Sequence, residues 1–308
     1  MVWLSVLLSL TAPEPGRAAY PVERPPLRFL QHASDLIVVG APTRNEPVPP
    51  EAGGAQYGRK VTFSVERVLK GTGSPASISI FIRNLSCPEP LSIPPDRQSL
   101  LFLERAPEVD GYRSVALSYG QMSLSDLDLP IYEARIRDLN RIDAIQDPRE
   151  KSEGLTRWLV RCMEADATRW EGAEEFWSIY MVPREGTAAP PVVPVEAFTP
   201  SQRERLIEVF LKAEFLGQAE IVMARNVLRH FPDDRVDKTL LDALRKAVRS
   251  GYSGGQYYAV ALHERIRLEG GDDLLTELIR VPYGDGTKES FRLSILNKYL
   301  KLAEQRRR

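Results

Sequence analysis

Cysteine and histidine are scarce in this chain of 308 residues: two cysteines and three histidines. Cys87 and Cys162 are too few for a cysteine-rich metal site. His32, His230 and His263 share no ligand spacing, so no metal and no cofactor is expected. Charge of one sign is also missing. The chain has 41 basic and 42 acidic residues and a net charge of −1. Partners such as nucleic acid or a membrane surface usually draw on a basic surplus, which composition does not supply here. Long apolar runs are missing too. The stretch Val2–Leu10 is far below the ~20 residues of a spanning helix, so no membrane span is expected. Its length suits the apolar core of a signal peptide, and Gly16-Arg17-Ala18 offers a small-x-small cleavage site. No Lys or Arg precedes it, and the competing reading is a buried first strand or helix. We expect residues 1–19 to be a signal peptide, whose mature chain begins near Ala19 and is secreted or periplasmic. No cysteine follows the run to carry a lipid. Arginine far outnumbers lysine, which reads as genome composition rather than a physical need.

What is present first is strand pattern. A proline-rich lead-in over 20–34 gives way to Leu36-Ile37-Val38-Val39-Gly40, the continuous apolar run of a doubly buried strand. Pro42 to Gly58 reads as a loop. Val61, Phe63 and Val65 alternate with Thr62, Ser64 and Glu66, the period of a half-buried strand. Ile78, Ile80 and Ile82 alternate again. Leu100–Leu103 follows a proline-rich crossing, and a turn at Asp110-Gly111 leads into Tyr112–Leu117. Five strands in so short a span fit a small barrel or sandwich.

Three of these blocks carry a family resemblance. They are Ser34-Asp35-Leu36-Ile37-Val38-Val39-Gly40, Val61-Thr62-Phe63-Ser64-Val65-Glu66-Arg67-Val68-Leu69-Lys70-Gly71 and Leu100-Leu101-Phe102-Leu103. Together they resemble the netrin-like OB-fold of tissue inhibitors of metalloproteinases, over roughly residues 27–125. The resemblance implies a five-stranded Greek-key barrel. Those inhibitors chelate a zinc through an N-terminal cysteine. This chain has no cysteine before Cys87, so the resemblance carries the fold and not the inhibition.

From Leu129 the period lengthens. Ile131, Ala134, Ile136, Leu139 and Ile142 share one helical face, and Asp147-Pro148 ends it. Leu155, Trp158, Leu159, Cys162 and Met163 form the next face. Thr199-Pro200-Ser201-Gln202 opens a further helix: Thr199 as N-cap, Pro200 at the first helical position, Gln202 closing a capping box. Three helix pairs then follow, 200–215 with 218–231, 234–249 with 256–268, and 272–280 with 287–304. Their spacing resembles HEAT-type repeats; an irregular bundle is the alternative.

Few motifs carry chemistry. Gly251-Tyr252-Ser253-Gly254-Gly255 matches the G-x-S-x-G nucleophile elbow, which needs a strand-to-helix turn. Here a helix precedes it, His263 falls inside the next helix, and no acid lies between. It reads as a helix–helix loop. His230, at a helix end, reads as a C-terminal cation favoured by the dipole. Asp233-Asp234 and Asp272-Asp273 sit at helix starts, where acids are favoured. Glu164, Asp166, Glu171, Glu174 and Glu175 read as a solvated helical face rather than an acid–base pair. Asn84-Leu85-Ser86 is a chance glycosylation sequon. In an exported chain Cys87 and Cys162 could pair; a buried thiol suits Cys162 equally well.

The expected fold class is α+β: a small five-stranded OB-like β-barrel over 27–125, connecting helices over 130–182, and a HEAT-like or bundle-like helical domain over 199–308. The expected core includes Val38, Val65, Ile80, Leu101, Leu159, Phe210, Leu228, Leu244, Ile266 and Leu296. The expected function is that of an exported, non-enzymatic binding or scaffold protein with a protein partner. The alternative is an envelope serine hydrolase using Ser253 and His263.

Overall fold

Alternating β-branched and aromatic residues build one sheet, and apolar stripes of period 3.6 build a stack of helices. The computed structural model describes residues 25–49, 57–83, 98–180, 193–281 and 286–306. They divide into two compact units, one of Pro25 with Phe29–Leu124 and one of Pro26–Arg28 with Ser125–Arg308. The chain is α+β. The signal-peptide stretch, Asn84 and Cys87 lie outside the described residues.

The proline-rich lead-in carries a short helix, α1 (Leu27–Ala33). The strands are β1 (Leu36–Pro47), β2 (Tyr57–Lys70), β3 (Ser77–Arg83), β4 (Ser99–Ala106), β5 (Gly111–Ser114) and β6 (Gln121–Met122). Their order is β1-β2-β3-β5-β4-β6, and β1 also pairs with β4. Five strands thus form a ring, but not a barrel, and the expected barrel gives way to a six-stranded mixed sheet. The reason lies in β5, which is four residues long and meets β3 at one parallel pair, Ile80 with Tyr112.

β1 is longer than expected and runs through Pro42 to Pro47, where the sequence reads as loop. Beyond Gly40 its described ladder is with β2 alone. A stretch with one neighbour tolerates proline, whose missing N–H costs no ladder bond on the open side. Leu36, Val38, Val61, Phe63, Ile78, Ile80, Ile82, Leu101 and Leu103 form the sheet's core. Leu36–Val39 is buried throughout, as a strand flanked by β2 and β4 requires. Val65 packs against this core but is half-buried where full burial was expected; it pairs with Gly40 beside a register shift.

The helical unit starts with α2 (Leu129–Asp143) and α3 (Pro148–Glu164). Asp147-Pro148 does more than end α2. Asp147 caps α3 by accepting the Glu150 N–H at 2.7 Å, with Pro148 in the first turn. α4 (Arg169–Tyr180) crosses α3 closely because of Gly172. A Cβ there would meet Leu159 O at 2.9 Å and Cys162 Cβ at 2.8 Å. α5 (Pro200–Lys212) opens on the expected capping box, with Thr199 Oγ1 accepting from Gln202 N at 3.2 Å and Gln202 Oε1 from Thr199 N at 2.8 Å. Then come α6 (Gln218–Asn226), α7 (Asp234–Ser250), α8 (Gln256–Ile266), α9 (Gly271–Arg280) and α10 (Gly286–Arg306).

The packing is regular at first. α3, α5 and α7 stack in one row, and α4, α6 and α8 in another. The hairpin α3–α4, read from sequence as a connector, is therefore the first member of the stack. At the end the register changes: α10 packs on α7 and α9 on α8. Leu159, Phe210, Leu228, Leu244 and Leu296 are buried. Ile266 is only half-buried, since it ends α8 just before Arg267 turns left-handed at φ 47°.

Candidate functional site

Ser253 opens a tight turn, Ser253–Gly255, between α7 and α8. Gly251 ends α7 in the left-handed conformation, φ 72°, that a helix C-terminus commonly demands. The Gly-x-Ser-x-Gly stretch therefore joins helix to helix, not strand to helix. His263 lies on α8 with 1% exposure. Its Nε2 is 3.0 Å from Asp272 Oδ1 at the start of α9. Its Nδ1 faces Gly271, where a Cβ would stand 2.6 Å away. An acid thus orients His263 after all, from a position downstream of it. Asp272 also suits the α9 N-terminus electrostatically.

The acidic stretch is the larger correction. Glu171 and Glu175, read as a solvated face, are buried on α4. Glu171 accepts the Leu27 backbone N–H at 2.8 Å and the Tyr132 hydroxyl at 3.1 Å. Glu175 accepts from Arg28 Nη1 at 2.8 Å, with both side chains under 8% exposed. Burial pushes the Glu175 carboxyl up to about 7, against the opposing pull of Arg28. Nearby, Arg169 bridges Glu220 at 2.6 Å and also meets Asp166. No sequence period separates an inward glutamate from an outward one. The signal that existed was two carboxylates at i, i+4 beside Phe176 and Ala173 on one helix.

Other singled-out groups take structural positions. His230 accepts from Arg229 Nε at 3.1 Å and packs edge-on against Phe176. Burial and the neighbouring Arg229 charge lower its pKa, so it serves as a neutral acceptor and not as the expected cation. Asp233 caps α7 by accepting Arg235 N at 2.8 Å; its hydrogen bonds from Arg235 lower its pKa. Cys162 is a buried free thiol whose pKa burial raises strongly. A group so held is a poor nucleophile.

The sheet unit holds an open hollow of about 630 Å³. Its floor is Phe81 on β3 and Lys60 on β2. Its walls are Asn45–Pro49 at the end of β1 and Glu108–Asp110 in the β4–β5 turn. Lys60 Nζ lies 5.8 Å from the Phe81 ring centre, within cation–π range. Beside it the Tyr57 hydroxyl donates to Glu108, and Arg113 holds Glu104 at 2.8 Å. The Tyr57 hydrogen bond lowers the Glu108 pKa, and burial raises that of Tyr57. The hollow falls within the 300–1,000 Å³ typical of ligand sites. Its lining sets one aromatic ring, Phe81, and two prolines beside Lys60, Glu46, Glu108 and Asp110. Among the described residues no group of three or more His, Cys, Asp or Glu side chains could hold a metal ion. No helix among them is long and apolar enough to cross a membrane. No family model matches the chain, and no curated protein matches it.

Proposed function

We propose that the chain is an exported binding or scaffold protein without catalytic activity, and that the sheet hollow is its recognition site for a protein partner. The observation that carries this reading is the open hollow around Phe81, Lys60 and Glu108. Supporting it, two groups of the helical unit that could run acid–base chemistry are turned inward. His263 is committed to Asp272, and Glu175 to Arg28. We also read the sheet as a netrin-like, OB-type ring whose β3–β5 side is held by a single pair. The closed order of five strands supports that reading, as does the Val-x-x-Val-Leu-Lys-Gly block on β2. The rest of the helical unit, with its regular stack of three hairpins, fits a HEAT-like array.

The test has two arms. Cross-linking of the mature chain in envelope extract should capture partners whose recovery falls with Phe81→Ala and Lys60→Glu and persists with an exposed control, Arg149→Ala. Equal recovery with all variants removes the hollow as the site. A fluorophosphonate probe should leave the protein unlabelled. Stoichiometric labelling lost in Ser253→Ala would overturn the non-enzymatic reading in favour of a serine hydrolase.

A further inference from the structure

Two consecutive residues at the start of α1 attach to two carboxylates one turn apart on α4. The Leu27 N–H donates to Glu171 Oε2 at 2.8 Å, and Arg28 Nη1 donates to Glu175 Oε1 at 2.8 Å. Pro25 and Pro26 have no N–H, so Leu27 supplies the first donor of α1, a group that its own helix cannot satisfy. Leu27, Arg28, Glu171 and Glu175 are all buried, and all four belong to the helical unit.

The two halves of this attachment differ. Glu171 accepts from the Tyr132 hydroxyl as well, at 3.1 Å. Arg28 and Glu175 share a single hydrogen bond and make no other. The other buried arginines are tied more fully: Arg169 to Met163 O, Glu220 and Asp166, and Arg265 to Asp237, Leu228 O and Asp233 O. A buried pair with one hydrogen bond recovers little of the cost of desolvating its charges. The surroundings of Glu175 add to that cost. Arg28 on α1 attracts its ionised form, whereas Glu171 and Glu174 on α4 repel it. Tyr132 of α2 and the Cys162 thiol of α3 stand against Glu171, and His230 packs on Phe176, next to Glu175 in the chain.

We propose that the attachment of Leu27 and Arg28 to α4 is a proton-operated clasp, closed while Glu175 carries its proton and loosened when that carboxyl ionises. A neutral carboxyl still accepts from Arg28 through its carbonyl oxygen, and it is not repelled by Glu171 and Glu174. Ionisation brings that repulsion into a site where water screens it poorly. Opening hydrates Glu175 and withdraws the Leu27 N–H from Glu171. The sign follows from linkage. In the closed clasp the carboxyl is raised to about 7, and in the open one it returns to the ordinary 4.5. Closing therefore takes up a proton between these values, so the closed form is favoured below them and lost as pH rises through about 7.

The experiment is hydrogen exchange of the full chain, read at the Leu27 amide and at amides of α7, with each rate taken relative to unstructured peptide. Between about pH 5.5 and about pH 8.5 the protection of Leu27 should fall about tenfold or more. At the alkaline end Leu27 should exchange about tenfold or more faster than α7, and low urea should speed α7 but not Leu27, the mark of a local opening. Glu174→Gln should move the loss of protection to higher pH-independent closure, that is, to a weaker response, because one repelling charge is gone. Glu175→Gln should keep Leu27 protected across the range. The proposal is overturned if the protection of Leu27 does not change with pH, if it is lost only together with that of α7, or if Glu175→Gln responds as the wild type does. The wild-type series alone decides the matter should a variant misfold.

Discussion

In the sheet unit the ion pairs stand in the open, as with Arg44–Glu46 and Arg113–Glu104. In the helical unit Arg28, Arg169 and Arg265 are almost wholly buried and meet Glu175, Glu220 and Asp237. The difference follows from where each architecture leaves polar backbone. A sheet satisfies its N–H and C=O groups in its own ladders, so its interior can be apolar throughout. A helix leaves its last carbonyls unpaired. In a stack of short helices many such ends are buried, and arginine reaches them. Arg169 Nε donates to Met163 O at 3.1 Å. Arg265 donates to Leu228 O, in the short turn that follows α6. Arg292 donates to Val281 O just past α9. The arginine bias, which composition alone left without a role, is used here. Lysine has no fork to serve two carbonyls and a carboxylate at once.

This contrast is best broken at Glu175. Glu175→Leu leaves the Arg28 guanidinium buried and always charged, and should cost about 3–5 kcal/mol in urea unfolding. Arg28→Ala should cost less, because Glu175 can take up a proton. The asymmetry is the diagnostic, and equal losses would mean that the pair is not desolvated in solution.

The second prediction concerns pH. The folded carboxyl of Glu175 is raised from the ordinary 4.5 to about 7. Between these values the folded state binds a proton that the unfolded state has released. Stability from this group is therefore present below about 4.5 and lost as pH rises through about 7. Facing it are Arg28, Glu171 and Glu174. The unfolding free energy of the wild type, relative to Glu175→Gln, should fall on the order of 2–3 kcal/mol from pH 5 to 8. A flat difference would refute the raised pKa.

Thr199→Ala removes one half of a capping box at an exposed helix start. It should cost ~1 kcal/mol, read as a lower thermal midpoint. The smallest effect belongs to the sheet unit. Arg113→Ala breaks a partly exposed pair with Glu104 and should cost no more than about 1 kcal/mol. A loss there as large as at Glu175 would erase the distinction between the two units.

Local pattern was legible where one residue type has one physical use. The run Leu36–Val39, the alternation of Ile78, Ile80 and Ile82, and the Thr199–Gln202 cap are readable because strand period, burial and capping are decided within a few residues. Helix faces were legible for Leu155, Trp158, Leu159, Cys162 and Met163, all buried. On α2 the stripe was displaced: Tyr132 and Glu133 are buried, while Ile131 and Ala134 are half-covered.

Periodicity and end chemistry thus settled, from sequence alone, the position of most strands and helices and how several of them start and stop, but not α1, β6 or the second half of β1. Tertiary structure decided the rest. It fixed that five strands form a ring held at one side by a single pair, and that α3–α4 begins the helical stack. It also turned Glu171 and Glu175 inward and set Asp272 against His263. The physical reason is range. Strand and cap energies arise between near neighbours, whereas Leu27 and Glu171 are 144 residues apart and Arg28 and Glu175 are 147. Whether a charge is buried depends on which partner the fold brings to it, and that partner lies far beyond any local window.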